Sequence, residues 1–365
     1  MRILFDCRYV RLERHDGISR FSAELVAELA RDHDVTMLVS DERQLSMLPA
    51  LPHVLGPSAT GALEPLTAWR LRHVPVDIAY SPMQTIGTGG RAWPMVTTVH
   101  DLIYYRHRTP PRSLAAPIRG LWRLYHLSFA PQRLLLDGAD GIVTISETTR
   151  ELIRRHRLTR LPVAIVPNAA APLGAPVTHT APPTKRLVYM GSFMPYKDVE
   201  TLARATALLP DHELHLCSRI DAASRDRLER IAPGASVVFH DGVSDEAYAD
   251  LLRSATALVH ASRDEGFGIP LLEAMSLGVP VVVADTAIFR EVGGDAARFF
   301  PVGDADALAR AVRELEGEWA AVSRASLEQA ARFSWRASAE RLSAFLERIA
   351  GERGSTHRRS HGASG

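Results

Sequence analysis

The chain has 365 residues, which is enough for two domains of ordinary size. Hydrophobic residues make up 46% of it and charged residues 23%, as in globular proteins, and the formal net charge is +1. A charge balance this close to neutral excludes a global electrostatic attraction to nucleic acid, so nucleic acid is not an expected partner.

The two cysteines, Cys7 and Cys217, lie far apart inside apolar runs. We expect buried thiols in a reducing compartment rather than a disulfide, and without a tight His/Cys cluster we expect no metal. No run approaches the roughly 18 apolar residues that a membrane span needs. The first apolar stretch is interrupted by Asp6 and Arg8, unlike a signal peptide, so a cytoplasmic location is expected.

Short apolar runs alternate with amphipathic helical patterns over the first 170 residues, which is typical of a parallel sheet wound with helices. Residues 2–6 are predicted to form a strand, and apolar residues from Ile18 to Leu29 then share one helical face. Further strands are predicted at residues 35–39, 96–99, 141–145 and 163–166. Ser146 is predicted to cap a helix over residues 147–156.

A long helical pattern follows Pro110 and Pro111. Its apolar face is predicted to contain Ile118, Leu121, Trp122, Tyr125 and Phe129. A basic edge beside that face is predicted to contain Arg112, Arg119, Arg123, His126 and Arg133. The pattern fits a core-facing helix with a solvated basic edge, and it also fits a helix lying on an anionic membrane surface at the inner face of the cell membrane.

Residues 171–185 are rich in Pro, Ala and Thr and lack periodicity, which predicts a linker between domains at 1–170 and 186–334. The alternation then resumes, with strands at 187–190, 213–217, 237–240, 257–260 and 279–283 and helices at 199–209, 224–231, 245–254 and 270–277. We therefore predict an α/β protein with two Rossmann-like domains that face a cleft.

The end of the chain reads as one more helix. Ser334 is the expected N-cap, and the helix is predicted over residues 335–350, crossing back to the N-terminal domain. The polar, Gly/Ser-rich residues 351–365 are expected to be disordered.

The densest chemical signal is a glycine-rich loop bounded by two carboxylates, Glu265 and Glu273. Gly266 and Gly268 permit close approach of a ligand, and Pro270 marks the start of a helix whose amides attract phosphate. One carboxylate precedes the loop, and the other is expected in the first helical turn. An acidic cap with a tight turn is the plainer alternative.

This segment, Glu265-Gly-Phe-Gly-Ile-Pro-Leu-Leu-Glu273, resembles the donor site of family 4 retaining glycosyltransferases of the GT-B fold. The resemblance implies that Glu265 contacts the transferred sugar and Glu273 the ribose. It also implies that Gly266, Phe267, Gly268 and Ile269 lie along the sugar and diphosphate of a nucleotide sugar.

Other segments resemble the same family in order. Lys197, after the segment Tyr189-Met-Gly-Ser192, matches a lysine that reaches the donor diphosphate, although Ser192 stands where many members have Arg. A solvated lysine is the alternative. The stretch near Val243 would contact the base. Because the region around Val243 lacks a usual glycine, the base stays open between guanine and uracil.

In the first half, the resemblance places His100 beside the transferred sugar, with Asp101 and Arg20 on the acceptor side and Gly17 near the diphosphate. Ordinary strand or helix ends are the alternatives for His100 and Arg20. Asn168 is expected to be structural.

The family implies front-face transfer of a hexose, weakly favouring mannose from GDP-mannose, to a sugar or lipid-linked acceptor, without metal or other cofactor. A sugar-nucleotide epimerase on this fold and a non-catalytic binding protein are alternatives. A nicotinamide dehydrogenase is disfavoured because no G-x-G-x-x-G follows the first strand.

Overall fold

The computed structural model describes residues 1–13, 15–110 and 116–361. The chain divides into two compact units, Met1–Asn168 with Trp335–Gly365, and Ala169–Ser334. Each unit is built around one parallel sheet, as the alternating pattern predicts. Residues 166–185 contain no helix or strand.

The first unit contains a seven-stranded parallel sheet in the order β3-β2-β1-β4-β5-β6-β7. The strands are β1 Arg2–Asp6, β2 Asp34–Val39, β3 His53–Leu55, β4 Ile78–Ser81, β5 Met95–Val99, β6 Gly141–Thr144 and β7 Val163–Ile165. The strands β4, β5 and β6 are buried on both faces, as helices covering a parallel sheet require. Two strands, β3 and β4, are absent from the sequence prediction because their runs are short.

The helices of this unit are α1 Gly17–Leu29, α2 Thr67–Leu71, α3 Ile103–Arg106, α4 Ala116–Tyr125, α5 Ala130–Asp137 and α6 Glu147–Arg155. Ser146 caps α6 by accepting a hydrogen bond from the Thr149 amide at 3.1 Å, as predicted. The prediction of one long helix between Pro111 and Arg133 is wrong, because the chain forms two helices there, α4 and α5, with a break between them. Pro131, in the first turn of α5, lacks an N–H and therefore suits a helix start better than a helix interior.

The second unit contains a six-stranded parallel sheet in the order β10-β9-β8-β11-β12-β13. The strands are β8 Arg186–Tyr189, β9 Glu213–Leu216, β10 Ser236–Phe239, β11 Ala257–His260, β12 Val281–Ala284 and β13 Arg298–Phe300. The helices are α7 Val199–Ala207, α8 Ala222–Ile231, α9 Asp245–Arg253, α10 Ile269–Ser276, α11 Ala287–Gly293 and α12 Ala305–Ala330. The direction in which successive strands are added reverses after β8, which lies between β9 and β11. Parallel sheets bind ligands at such a point, outside the carboxyl ends of the strands.

The last helix, α13 Trp335–His361, belongs to the first unit, as predicted. The Trp335 ring lies 6.1 Å from the Phe21 ring of α1, and Arg336 pairs with Asp32 at 2.7 Å. A side chain at Gly141 of β6 would lie 2.9 Å from the Phe345 ring, so the helix packs closely on the sheet. The helix continues eleven residues beyond its predicted end at residue 350. No proline interrupts this stretch, and its Glu and Arg residues favour helix, while residues 362–365 of the predicted tail lie outside the described residues.

Candidate functional site

Two loops meet at the carboxyl edge of the second sheet, one after β8 and one after β11. The first contains a short 3-10 turn, Pro195–Lys197, and Asp198 then adopts a left-handed conformation with φ 49°. Arg263 of the second loop donates from its amide to the Tyr196 carbonyl at 2.8 Å and from its guanidinium to Asp198 at 2.8 Å. These bonds hold the two loops together.

Lys197 and Glu265 form a close ion pair between these loops. Nζ of Lys197 donates to Oε1 of Glu265 at 2.7 Å and to Oε2 at 2.5 Å. The two side chains are 11% and 10% exposed, so the pair is mostly buried but reachable from solvent. The structure thus brings together two residues that the sequence assigned to one site from positions 68 residues apart.

His260, the last residue of β11, lies directly beneath this pair, a position that carried no role in the sequence analysis. Its side chain is fully buried between the rings of Tyr189, at 5.1 Å, and Phe289, at 5.4 Å. Nε2 lies 4.0 Å from Oε1 of Glu265. Burial, aided by the Lys197 charge and opposed by Glu265, lowers the pKa of His260 to about 4, so the ring is neutral at neutral pH.

The glycine-rich loop leads into α10. Gly268 has φ 95°, which a side chain would strain, and an added Cβ would lie 3.1 Å from the Phe289 ring. The helix then begins at Ile269 with Pro270, which has no N–H, in its first turn. The Leu271 amide donates to the Gly268 carbonyl at 2.9 Å, so the amide of Ile269 is the one at this start that has no partner within the helix. Such a helix start is suited to a phosphate or sugar oxygen.

Glu273 is buried in the second turn of α10, not in the first turn as expected. The helix begins at Ile269 rather than nearer to Glu273, because Gly268 already takes the left-handed position that precedes it. Burial first, and the charge of Glu273 second, raise the pKa of Tyr248 far above its usual range. Glu273 therefore shares its surroundings with a buried phenol.

The other predicted donor residues also follow carboxyl ends of strands in this sheet. Ser192, after β8, is exposed, and its carbonyl accepts a hydrogen bond from the Tyr189 hydroxyl at 2.7 Å. Val243 follows β10 and is half-buried. Phe267 is buried, with its ring 5.8 Å from that of Phe333, so its side chain anchors the loop.

In the first unit, His100 follows β5 and is held in one orientation. Its Nε2 donates to the Pro82 carbonyl at 2.7 Å, which leaves Nδ1 as an acceptor, and the ring lies edge-on to Phe21 at 5.1 Å. Burial lowers the pKa of His100 to about 4, although the Pro82 carbonyl and Asp16 oppose the shift. Asp101 accepts a hydrogen bond from the Ile103 amide at 2.9 Å and so also stabilises the start of α3.

The loop after β1 ends at Asp16, which caps α1 by accepting a hydrogen bond from the Ser19 amide at 2.9 Å. Gly17 is the first residue of α1, and Arg20 lies one turn later, partly exposed. The structure therefore places Gly17 and Arg20 at a helix start at the carboxyl edge of the first sheet.

A buried charge network after β1 was not predicted. The Arg8 guanidinium donates to Asp6 at 2.8 and 2.9 Å and to Glu64 at 2.5 and 2.9 Å. Ser81 donates to Asp6 at 2.9 Å, and Thr67 donates to Glu64 at 3.0 Å. Glu64 lies 56 residues from Arg8, so no local motif reveals the pairing.

The predicted apolar stripe around residue 120 is only partly present. Trp122 packs against Tyr104 at 5.0 Å and Phe129 against Tyr105 at 4.3 Å, so the aromatic residues turn inward. Five aliphatic residues are instead more than half exposed, namely Ile118, Leu121, Leu124, Leu127 and Leu134.

The arginines of the predicted basic edge have different surroundings. Arg123 is exposed, Arg119 is partly buried, and Arg133 donates to the carbonyls of His156 and Arg157 at the end of α6. Arg112 lies outside the described residues. The predicted edge is therefore not one uniform surface.

Within the described ranges, no helix is both long and apolar enough to cross a membrane. Among the same residues, no three His, Cys, Asp or Glu side chains are grouped so that they could hold a metal ion.

Comparisons with known proteins identify the family of this chain. A Glycosyltransferase Family 4 model matches residues 15–171, and a Glycosyl transferases group 1 model matches residues 177–334. O-antigen chain mannosyltransferase B of Escherichia coli is 27% identical, covering 92% of this chain and 96% of that relative. D-inositol 3-phosphate glycosyltransferase of Mycolicibacterium smegmatis is 29% identical, over 62% of this chain and only 57% of that relative.

Among solved structures, Anabaena HepE in complex with UDP-glucose superposes with a TM-score of 0.70 at 16% identity, covering 95% of this chain and 99% of HepE. This likeness confirms the predicted fold class. The family 4 model includes His100, and the group 1 model includes both Lys197 and Glu265. The chain therefore belongs to the glycosyltransferases of the GT-B fold, with a family 4 domain followed by a group 1 domain.

Proposed function

We propose that this protein is a retaining glycosyltransferase that moves a hexose from a nucleoside-diphosphate sugar to a sugar or lipid-linked acceptor. Mannose is the hexose that we favour. The observation that carries the proposal is the Lys197–Glu265 pair beside the start of α10, at the carboxyl edge of a parallel sheet. The E. coli relative is a mannosyltransferase, which favours mannose, and HepE was solved with UDP-glucose, which keeps a uridine donor under test.

In this proposal each donor group has a partner of suitable chemistry. The Lys197 ammonium neutralises charge that grows on the departing diphosphate, and the amides of Gly266, Gly268 and Ile269 donate to its oxygens or to the sugar. Glu265 accepts from sugar hydroxyls, and Glu273 accepts from ribose hydroxyls. The cation and the helix start supply positive charge without requiring a metal.

Transfer with retention would proceed on one face of the sugar. The acceptor hydroxyl bonds to the anomeric carbon from the side on which the carbon–phosphate oxygen bond breaks, and the acceptor proton passes to that phosphate oxygen. The protein supplies orientation and charge stabilisation. His100, neutral with Nδ1 open as an acceptor, would orient a hydroxyl rather than act as a cationic acid, and Asp101 and Arg20 would serve the acceptor side.

The test of donor binding uses the unusual scarcity of lysine, since Lys185 and Lys197 are the only two in the sequence. Calorimetry would compare GDP-mannose, UDP-glucose, UDP-N-acetylglucosamine, GDP and UDP on the native protein, Lys197→Ala and Lys185→Ala. We expect one nucleotide sugar to bind selectively, about 100-fold more weakly to Lys197→Ala and unchanged to Lys185→Ala. Folded native protein that binds none of these ligands would rule the proposal out.

Two other functions share donor binding and are separated by products. An epimerase would release an altered sugar or nucleotide without an acceptor, and a binding protein would release no product. We expect instead a glycoside whose anomeric configuration, read from NMR couplings, equals that of the donor. An inverted product would refute retention.

We further propose that the exposed aliphatic residues of the α4–α5 segment contact an anionic membrane from the cytoplasmic side. Leu121 and Leu124 are exposed on α4 near Arg123, an arrangement that fits anionic lipid. Sedimentation with vesicles containing phosphatidylglycerol should fall several-fold for Leu121→Gln/Leu124→Gln and stay unchanged for Leu208→Gln, another exposed leucine. If the native protein does not sediment with these vesicles, the proposed membrane contact is wrong.

A further inference from the structure

Beneath the charged pair, the structure contains a buried donor without a partner. A neutral imidazole carries one N–H donor and one acceptor nitrogen. Among the described residues, neither ring nitrogen of the fully buried His260 has a hydrogen-bond partner. Buried polar groups are normally paired, because an unpaired one loses its water without compensation. If the residue only filled space here, phenylalanine would give a more stable fold than histidine, because phenylalanine has no polar group to bury unpaired.

The carboxylate beside this ring is already occupied. Oε1 of Glu265 is 4.0 Å from Nε2 of His260, too far for a hydrogen bond, while both carboxylate oxygens accept from Lys197. A shift of roughly 1 Å would bring Nε2 and Oε1 to bonding distance. The rings of Tyr189 and Phe289 hold His260 in place, so the carboxylate is the group free to make that shift.

Binding of a diphosphate would create the need for this second partner. The Lys197 ammonium, on a flexible stem, is the cation that the proposed function assigns to the diphosphate. If it turns to the phosphates, Glu265 is left as a mostly buried carboxylate that has lost its two charge-assisted bonds. Such a group is costly unless another donor replaces the lost one.

We infer that His260 is a positioning residue, which donates to Glu265 when Lys197 leaves the carboxylate for the donor diphosphate. The inference rests on the proposed function. In the unliganded state Lys197 holds Glu265, and in the donor-bound state His260 holds it in the orientation that accepts from the sugar. No proton transfer is required, because a neutral imidazole already carries the N–H that it donates.

The first measurement follows Lys197 directly. With [13Cε]-lysine, the native protein gives two lysine signals, which Lys185→Arg assigns. Adding GDP-mannose, or UDP-glucose if that is the donor that binds, should shift the Lys197 signal and leave the Lys185 signal in place. A Lys197 signal that does not move under saturating donor would overturn the exchange.

The second measurement compares two replacements of His260. His260→Phe removes the N–H and keeps the aromatic packing, whereas His260→Gln keeps an amide donor near the position of Nε2. We expect about tenfold weaker binding of the nucleotide sugar and of its nucleoside diphosphate to His260→Phe, and a loss below threefold for His260→Gln. The nucleoside monophosphate, which lacks the second phosphate, should bind both variants like the native protein.

A merely structural role would weaken monophosphate and diphosphate binding alike, and this result, or undiminished diphosphate binding to His260→Phe, would overturn the inference. If His260→Phe does not fold, His260→Met removes the same N–H with a side chain that adapts to its cavity. In a Lys197→Ala background the His260→Phe effect should vanish, because no exchange remains. Absence of all nucleotide binding to native protein would defeat the proposed function as well, so the two failures are distinguishable.

Discussion

The two units each carry a carboxylate–cation cluster at the carboxyl edge of their sheet, and the clusters differ in how fully their charges are satisfied. In the first unit, Arg8 is completely buried and donates to both Asp6 and Glu64. Neutral donors, Ser81 and Thr67, supply further bonds to the carboxylates. In the second unit, the Lys197–Glu265 pair is partly exposed, and the neighbouring His260 contributes no bond.

The difference separates a structural network from an exchangeable one. A buried guanidinium with two carboxylates and fixed neutral donors has only one good arrangement, since any departure leaves a charge unpaired. A single ammonium opposite one carboxylate, near an open helix start, can exchange its partner for an anionic ligand. The first cluster should therefore govern folding, and the second should govern binding and turnover.

The largest expected effect is on folding. Arg8→Met leaves Asp6 and Glu64 buried together without their cation, and we expect a loss of about 3–5 kcal/mol in the free energy of unfolding. Urea denaturation followed by circular dichroism measures it. Arg11→Met, which removes an exposed arginine paired with Asp16, should change stability by about 0.5 kcal/mol or less. Equal stability of Arg8→Met and the native protein would contradict a structural role for the network.

Glu265→Gln should reduce turnover far more than it reduces stability. The amide keeps the shape of the side chain but loses the charge that pairs with Lys197 and accepts from a sugar, so turnover should fall about 100-fold. Unfolding free energy should fall by less than in Arg8→Met, by about 1–2 kcal/mol, because Lys197 lies on a flexible stem and can turn toward solvent when its partner loses the charge. Glu316→Gln, which disrupts the pairing with Lys185 and His212 in the same unit, is the matched control and should keep full turnover. Lost stability without lost turnover would reverse the comparison.

Features that depend on neighbouring residues could be predicted from the sequence, whereas pairings between distant residues could not. Local signals identified most of the strands and the cap at Ser146, and they singled out the segment from Glu265 to Glu273, because each depends on neighbouring residues. Pairings across long separations, such as Arg8 with Glu64, have no local signal. His260 could have been noticed as an ionisable residue at the end of an otherwise apolar strand, but only the fold shows that Glu265 lies next to it.

Acid should weaken both units through one histidine in each, the half-buried His100 and the buried His260. His100 and His260 have folded-state pKa values of about 4, below the ordinary 6.5, so the unfolded chain binds more protons between these values. Stability is therefore complete above pH 6.5 and falls as the pH drops toward 4, by about 1–3 kcal/mol per histidine. The decline in unfolding free energy with falling pH, measured by urea titration, should be flatter for His260→Phe than for the native protein. His73→Asn, which replaces an exposed histidine, should not make the decline flatter. An unchanged slope in His260→Phe would mean that the ring is already protonated when folded.

The smallest expected effect compares two buried tyrosines, one in each unit. The Tyr80 hydroxyl bonds to Oγ1 of Thr98 at 2.7 Å, whereas the Tyr248 hydroxyl has no hydrogen-bond partner among the described residues. Tyr80→Phe should therefore cost about 1 kcal/mol in the free energy of unfolding, and Tyr248→Phe should cost nothing or stabilise slightly. Because Tyr248 lies in the electrostatic surroundings of Glu273, an equal cost for both changes would mean that its hydroxyl is paired in solution. The contrast between a structural and an exchangeable cluster would then rest on Lys197 and His260 alone.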